Sequence, residues 1–104
     1  MNIKLRYIGE DIFLSLLNGK VYECIGIEDD LVRVIDEEKE DYLYAILRPK
    51  PLDNSSEGGV WEVAEDTKDK LFETNLNKYI ELAKSRDYDY VSDKKRILQT
   101  YKNK

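Results

Sequence analysis

Asn18–Leu47, NGKVYECIGIEDDLVRVIDEEKEDYLYAIL, is the stretch from which the fold of this 104-residue chain is read. Three short apolar runs follow one another there, rich in Val, Ile and Tyr and separated by acidic turns. Branched and aromatic residues in runs of this length favour strands, so the stretch predicts a three-stranded antiparallel meander over Lys20–Glu28, Leu31–Asp36 and Asp41–Leu47. Asn18-Gly19 supplies turn chemistry that admits positive φ, Asp29-Asp30 and Glu37–Glu40 make the next turns, and Gly26 inside the first run marks a bulge. The runs are apolar on both faces, which predicts a small, strongly bent barrel rather than a flat one-sided sheet.

Upstream, Ile3–Ile8 alternates as a further strand and Gly9 ends it. Glu10–Leu17 carries a clump of apolar residues (Ile12, Phe13, Leu14, Leu16, Leu17) with no period. It reads as a packed loop with one helical turn plugging a barrel end, the alternative being a surface patch. Downstream, Pro49 and Pro51 stop regular pairing, Leu52–Gly59 is a polar loop, and Val60–Ala64 is a fifth strand. From Asp66 the period becomes helical. Asp66 or Thr67 is the predicted cap, and Leu71, Phe72, Leu76, Tyr79, Ile80 and Ala83 form one stripe to about Arg86. Asp87–Tyr90 interrupts the pattern, and Ser92 is the predicted cap of a shorter helix bearing Ile97, Leu98 and Tyr101. The expected organisation is mainly β with α: a five-stranded barrel over residues 1–66, then one or two helices over 67–104, packed on the barrel or on a second subunit.

Composition narrows the chemistry. There is no histidine, which removes imidazole catalysis and most zinc sites. Cys24 is the single cysteine and lies in an apolar run, where a thiol is inert. No apolar run approaches the ~20 residues of a membrane span, and the N-terminus lacks a secretory h-region, so the expected compartment is the cytoplasm. Residues 1–66 carry 7 basic and 16 acidic side chains, a net −9, while 67–104 carry 10 basic and 6 acidic, a net +4. An acidic body repels phosphate, and the basic tail reads first as a solvated helix surface, the alternatives being an acidic partner or the chain's own acidic face.

The residues resemble a group of small SH3-like barrel proteins of low-GC Gram-positive bacteria and their phages. The resemblance rests on Tyr7-Ile8-Gly9, Asn18-Gly19-Lys20 with Tyr22, Ile27-Glu28, Arg33-Val34-Ile35-Asp36 and Glu40-Asp41-Tyr42-Leu43-Tyr44, and it covers residues 1–66. It implies a five-stranded SH3-like barrel and no particular activity. The chain departs from the group at Ala45, where a proline is frequent, and at Leu31-Val32, where an aromatic pair is frequent. The loss of those aromatics argues against a peptide groove of the eukaryotic SH3 kind.

Candidate binding residues are Tyr22, Tyr42, Tyr44 and Trp61, whose rings suit stacking or core packing, and Asp29, Asp30, Glu37 and Glu38, whose charges suit a basic partner or simply turn solvation. No catalytic residue, metal ligand or cofactor is expected. Exposed turn carboxylates lack the environment that drives pKa values apart, and the calcium-loop spacing at Asp53, Ser55, Glu57 and Gly58 fails at Ala64. The leading expectation is therefore a non-enzymatic interaction module whose acidic surface meets a basic protein, with a homodimer through the helices as a further possibility. Alternatives are an immunity or inhibitor protein against a toxin, a carboxylate-dependent enzyme or small-ligand binder, and weak nucleic-acid binding through the basic tail.

Overall fold

The alternating apolar residues of the N-terminal half pair as the meander reading requires. The computed structural model describes residues 2–103. It contains β1 (Ile3–Gly9), β2 (Val21–Glu28), β3 (Leu31–Ile35), β4 (Asp41–Ala45), β5 (Gly59–Asp66), α1 (Leu71–Lys84) and α2 (Tyr90–Tyr101). The five strands form one antiparallel sheet in the order β4-β3-β2-β1-β5. Among the described residues no pairing joins β4 to β5, so the sheet is open where a closed barrel was expected. What spans the two edges is a side chain: Trp61 Nε1 of β5 donates to the Ala45 carbonyl of β4 (3.1 Å).

Local chemistry explains the register. Gly19 has φ +84° in the turn before β2, and the pairing of β2 with β3 shifts between Cys24 and Gly26, the bulge the glycine marked. β5 runs longer than Val60–Ala64 because it follows β1 from Ile3↔Asp66 to Gly9↔Gly59. At the last pair the backbones nearly touch: a Cβ on Gly59 would lie 2.2 Å from the Ile8 carbonyl oxygen. β4 is shorter than expected and ends at Ala45, before Pro49.

One continuous core joins sheet and helices. Ile3, Leu5, Tyr7, Cys24, Val32, Val34 and Trp61 are buried, and Phe72, Leu76, Tyr90 and Ile97 complete the cluster from the helices. The apolar stripe of α1 falls at the predicted residues, but its start is displaced. Asp69 and Lys70 take positive φ, and Asp66 reaches across that turn to accept from the amides of Lys68 (2.8 Å) and Phe72 (3.2 Å). At α2 the cap is Asp89, which accepts from the Ser92 amide (3.1 Å), so Ser92 lies one turn inside rather than at the start. The helix therefore includes Tyr90, which is buried. No helix of the described residues is long and apolar enough to cross a membrane.

Candidate functional site

The loop between β1 and β2 divides its apolar clump in two. Ile12 and Leu16 bridge each other, the Ile12 amide donating to the Leu16 carbonyl (2.8 Å) and the Leu16 amide returning to Ile12 (3.1 Å). Both are buried and plug the sheet as expected. The bridge leaves the residues between them at the tip of a tight turn, where Leu14 takes φ +62°. Phe13 and Leu14 consequently stand in solvent, 85% and 56% exposed, against the expectation that the whole clump would plug the sheet. Leucine gains nothing intrinsically from left-handed backbone, so an exposed apolar tip held in that state is a feature needing an explanation.

The acidic β3–β4 turn lies beside this tip and is stitched to it. The Glu37 amide donates to the Ser15 carbonyl (2.9 Å), and Tyr22 Oη donates to Glu37 Oε2 (2.7 Å) while accepting from the Leu17 amide (2.8 Å). Asp36, buried beneath the turn, accepts from Tyr44 Oη (2.8 Å) and from the Glu38 amide (2.9 Å). Phe13, Leu14 and Leu17 then form the apolar side of an open hollow of about 480 Å³, with Asp11, Glu37 and Glu38 as its acidic rim. The Tyr22 hydrogen bond holds the Glu37 carboxyl below its ordinary range, with Lys20 and Lys39 adding to the effect. A carboxylate kept ionised at every physiological pH is suited to charge recognition.

The residues singled out from sequence separate under this geometry. Glu37 and Glu38 belong to the hollow. Tyr22 and Trp61 are buried and Tyr44 half-buried, their polar atoms engaged with Glu37, the Ala45 carbonyl and Asp36, so these three build the surface from below and present no ring for stacking. Burial pushes the hydroxyls of Tyr22 and Tyr44 up, and the neighbouring Glu37 and Asp36 add to it. Tyr42 is exposed and donates to Glu40 Oε2 (2.9 Å). Asp29 and Asp30 lie at the other end of β3, roughly 16 Å away for five residues of strand, so the two acidic turns do not form one site. Asp11, Phe13 and Leu14 were not singled out. The available signal was the density of the clump, with more large apolar residues than a loop of that length buries.

Part of the basic tail pairs within the chain. Arg48 is the central staple: Nε donates to the Gly59 carbonyl (3.0 Å), Nη2 to the Glu57 carbonyl (2.7 Å), and Nη1 to Asp93 of α2. Arg96 bridges Glu57 (2.7 Å) and Asp93 (3.2 Å), Tyr101 Oη donates to Glu57 (2.5 Å), and Lys102 pairs with Glu62 (2.5 Å). Arg96 and then Tyr101 lower the Glu57 carboxyl. Burial works to raise Asp93, but Tyr88, Arg48 and Arg96 outweigh it and hold the carboxyl low. Arg96 and Lys102 therefore neutralise acids of the β4–β5 loop and of β5, whereas the Arg48–Asp93 pair runs the other way, a loop cation meeting a helix acid. Among the described residues no group of three or more Cys, Asp or Glu side chains is placed to hold a metal ion. No family model, curated protein or solved structure matches this chain.

Proposed function

We propose that this chain is a non-enzymatic protein-interaction module, an SH3-like barrel braced by two helices, and that its acidic face takes a basic protein partner at the Phe13–Leu14 tip. The observation that carries the reading is the pairing of an exposed, conformationally fixed apolar tip with the rim of Asp11, Glu37 and Glu38. Burying two such side chains contributes on the order of 1.5–3 kcal/mol each, which makes them interface anchors. The rim adds orientation and a faster encounter with positive charge. The SH3-like description, and with it the likeness to small bacterial and phage barrels, is supported by the strand order β4-β3-β2-β1-β5 and by the Trp61–Ala45 hydrogen bond between the edge strands. The carboxylates with displaced pKa values, Glu28, Glu37, Asp53, Glu57, Asp89 and Asp93, are all displaced downward, which favours charge recognition over proton transfer.

The test is capture from the native host at low salt with three baits: the unaltered chain, Phe13→Ser/Leu14→Ser, and Glu37→Gln/Glu38→Gln. A protein of basic net charge is expected on the first and depleted on both variants. The serine variant should unfold within about 0.5 kcal/mol of the parent, because it removes exposed side chains. Identical recoveries on all three baits would end the reading.

A further inference from the structure

β4 is an edge strand, and its outward backbone groups can be identified. The Asp36 amide donates to the Glu40 carbonyl (3.0 Å) and the Ile46 amide to the Asp30 carbonyl (2.9 Å), which marks both pairs as hydrogen-bonded pairs of the β3–β4 ladder. The register between them is unbroken, through Val34↔Tyr42 and Val32↔Tyr44. Hydrogen-bonded pairs alternate with non-bonded ones, so Asp41, Leu43 and Ala45 direct their N–H and C=O groups away from β3. Trp61 takes the Ala45 carbonyl. Both groups of Asp41, both of Leu43 and the amide of Ala45 are left facing outward.

The two edges of the sheet are treated differently. β5 at the far edge is packed by α1 and α2, and Lys102, just past α2, pairs with its Glu62. On β4 the Ala45 end carries Trp61, while Asp41, Tyr42 and Leu43 stand exposed. The strand lacks the lysine, proline or bulge with which edges are ordinarily blunted, and it exposes Tyr42 and Leu43 instead. The surrounding charge is one-sided. Residues 28–46 hold 8 acidic and 2 basic side chains, a net −6, and one of those two bases, Arg33, is occupied by Glu28 and Asp41.

We infer that the β4 edge is a strand-addition site for an extended basic segment of the partner protein, with Lys or Arg alternating with apolar residues. Main-chain hydrogen bonds to Asp41, Leu43 and Ala45 hold the added strand, and alternate side chains meet the tyrosine side and the Asp41–Leu43 side of β4. A second copy of this chain is the disfavoured occupant, because edge-to-edge pairing would bring two hairpins of net −6 together. This inference rests on the interaction-module reading and names the form of the partner segment, since the Glu37–Glu40 turn, hydrogen-bonded at Ser15 to the loop of the apolar tip, leads into β4.

The test uses the full 15N-labelled chain and two synthetic peptides of about six residues, the usual length of a strand, one alternating Lys with Val and the other Glu with Val. With the Lys-Val peptide, amide exchange at Asp41, Leu43 and Ala45 is expected to slow by about tenfold or more, and the effect should weaken with added salt. The Glu-Val peptide should produce none. Leu43→Pro removes an outward donor while sparing the β3 ladder, a position where an edge strand tolerates proline, and should abolish the protection. Leu43→Lys keeps the backbone and should weaken Lys-Val binding severalfold by like charge, which preserves the test if the proline variant does not fold. Equal protection by both peptides, or none by either, would overturn the inference. So would the same protection arising without peptide in a concentration-dependent dimer. A Lys-Val response confined to Asp11–Leu17 and Glu37–Glu38 would overturn the edge site while leaving the proposed interaction surface standing.

Discussion

Replacing Arg48 by methionine isolates the staple that fastens α2 and the β4–β5 loop to the sheet. Methionine retains most of the apolar stem, so the loss is that of the guanidinium. Two hydrogen bonds to backbone carbonyls, at Gly59 and Glu57, disappear at about 1 kcal/mol each. The ion pair with Asp93 disappears as well. Its two side chains are each 20% exposed, which places the pair between a surface bridge worth under about 1 kcal/mol and a buried one whose breakage costs about 3–5. Asp93 keeps Tyr88 and Arg96, so it is not orphaned, and ~1–2 kcal/mol is the appropriate share. The total is ~3–4 kcal/mol out of a domain stability of about 5–15. Arg96→Met is the internal control. It touches Asp93 and Glu57 with the same chemistry, but its side chain is 51% exposed, and it should have less than half the effect. Urea unfolding followed by the fluorescence of Trp61, the only tryptophan, reads both variants. An unchanged slope with a displaced midpoint attributes the change to stability. An Arg48→Met loss under about 1 kcal/mol, or an Arg96→Met loss equal to it, would refute burial as the deciding factor.

Further outcomes follow from the same structure. Tyr90 Oη is buried with no hydrogen-bond partner among the described residues, so Tyr90→Phe should leave urea stability unchanged or raise it by up to about 1 kcal/mol, whereas Tyr88→Phe, which loses the bond to Asp93, should lower it. Gly59→Ala forces a Cβ against the Ile8 carbonyl and should cost more than ~3 kcal/mol, while Gly19→Ala meets no neighbour and should cost only the ~1–2 kcal/mol of left-handed backbone, a contrast that thermal melts resolve. Glu57 and Asp93 have lowered folded pKa values, so their contribution is complete above the unfolded carboxylate value of about 4 and is lost as pH falls through the folded values; the urea midpoint should hold from neutrality and drop below pH ~4. Burial raises Tyr7, Tyr22, Tyr44 and Tyr90, and the Glu57 hydrogen bond pushes Tyr101 up to about 12. That contribution is complete below the unfolded tyrosine value of about 10 and is lost as pH rises through the folded values. Ultraviolet titration should therefore find most tyrosines protonated in the folded chain at a pH where the urea-unfolded chain has ionised.

Every strand, the Gly19 turn, the Gly26 bulge and the stripe of α1 were legible in the sequence, because each depends on residues two to four positions apart and on the intrinsic conformational freedom of glycine. Charge asymmetry offered a basic helix against acidic loops only as an alternative to a solvated helix surface. The candidate site was legible only in part. Glu37 and Glu38 were visible as an acidic turn, but the same reading gave equal standing to Asp29 and Asp30, at the other end of β3, and to tyrosines whose hydroxyls hold the turn together from beneath. Phe13 and Leu14 were visible as apolar, with exposure only the alternative reading of the clump. Their exposure follows from the Ile12–Leu16 bridge, which turns Phe13 and Leu14 between them outward, and from β2 and the β3–β4 turn, which occupy the space behind them. The Arg48–Asp93 pair spans 45 residues and has no local signature at all. What the sequence by itself determined is the set of elements and the sign of charge each carries. Which side chains face water, which carboxylate meets which cation, and which edge of the sheet stays open were decided by the tertiary structure, because exposure is set by contacts between segments far apart in the chain.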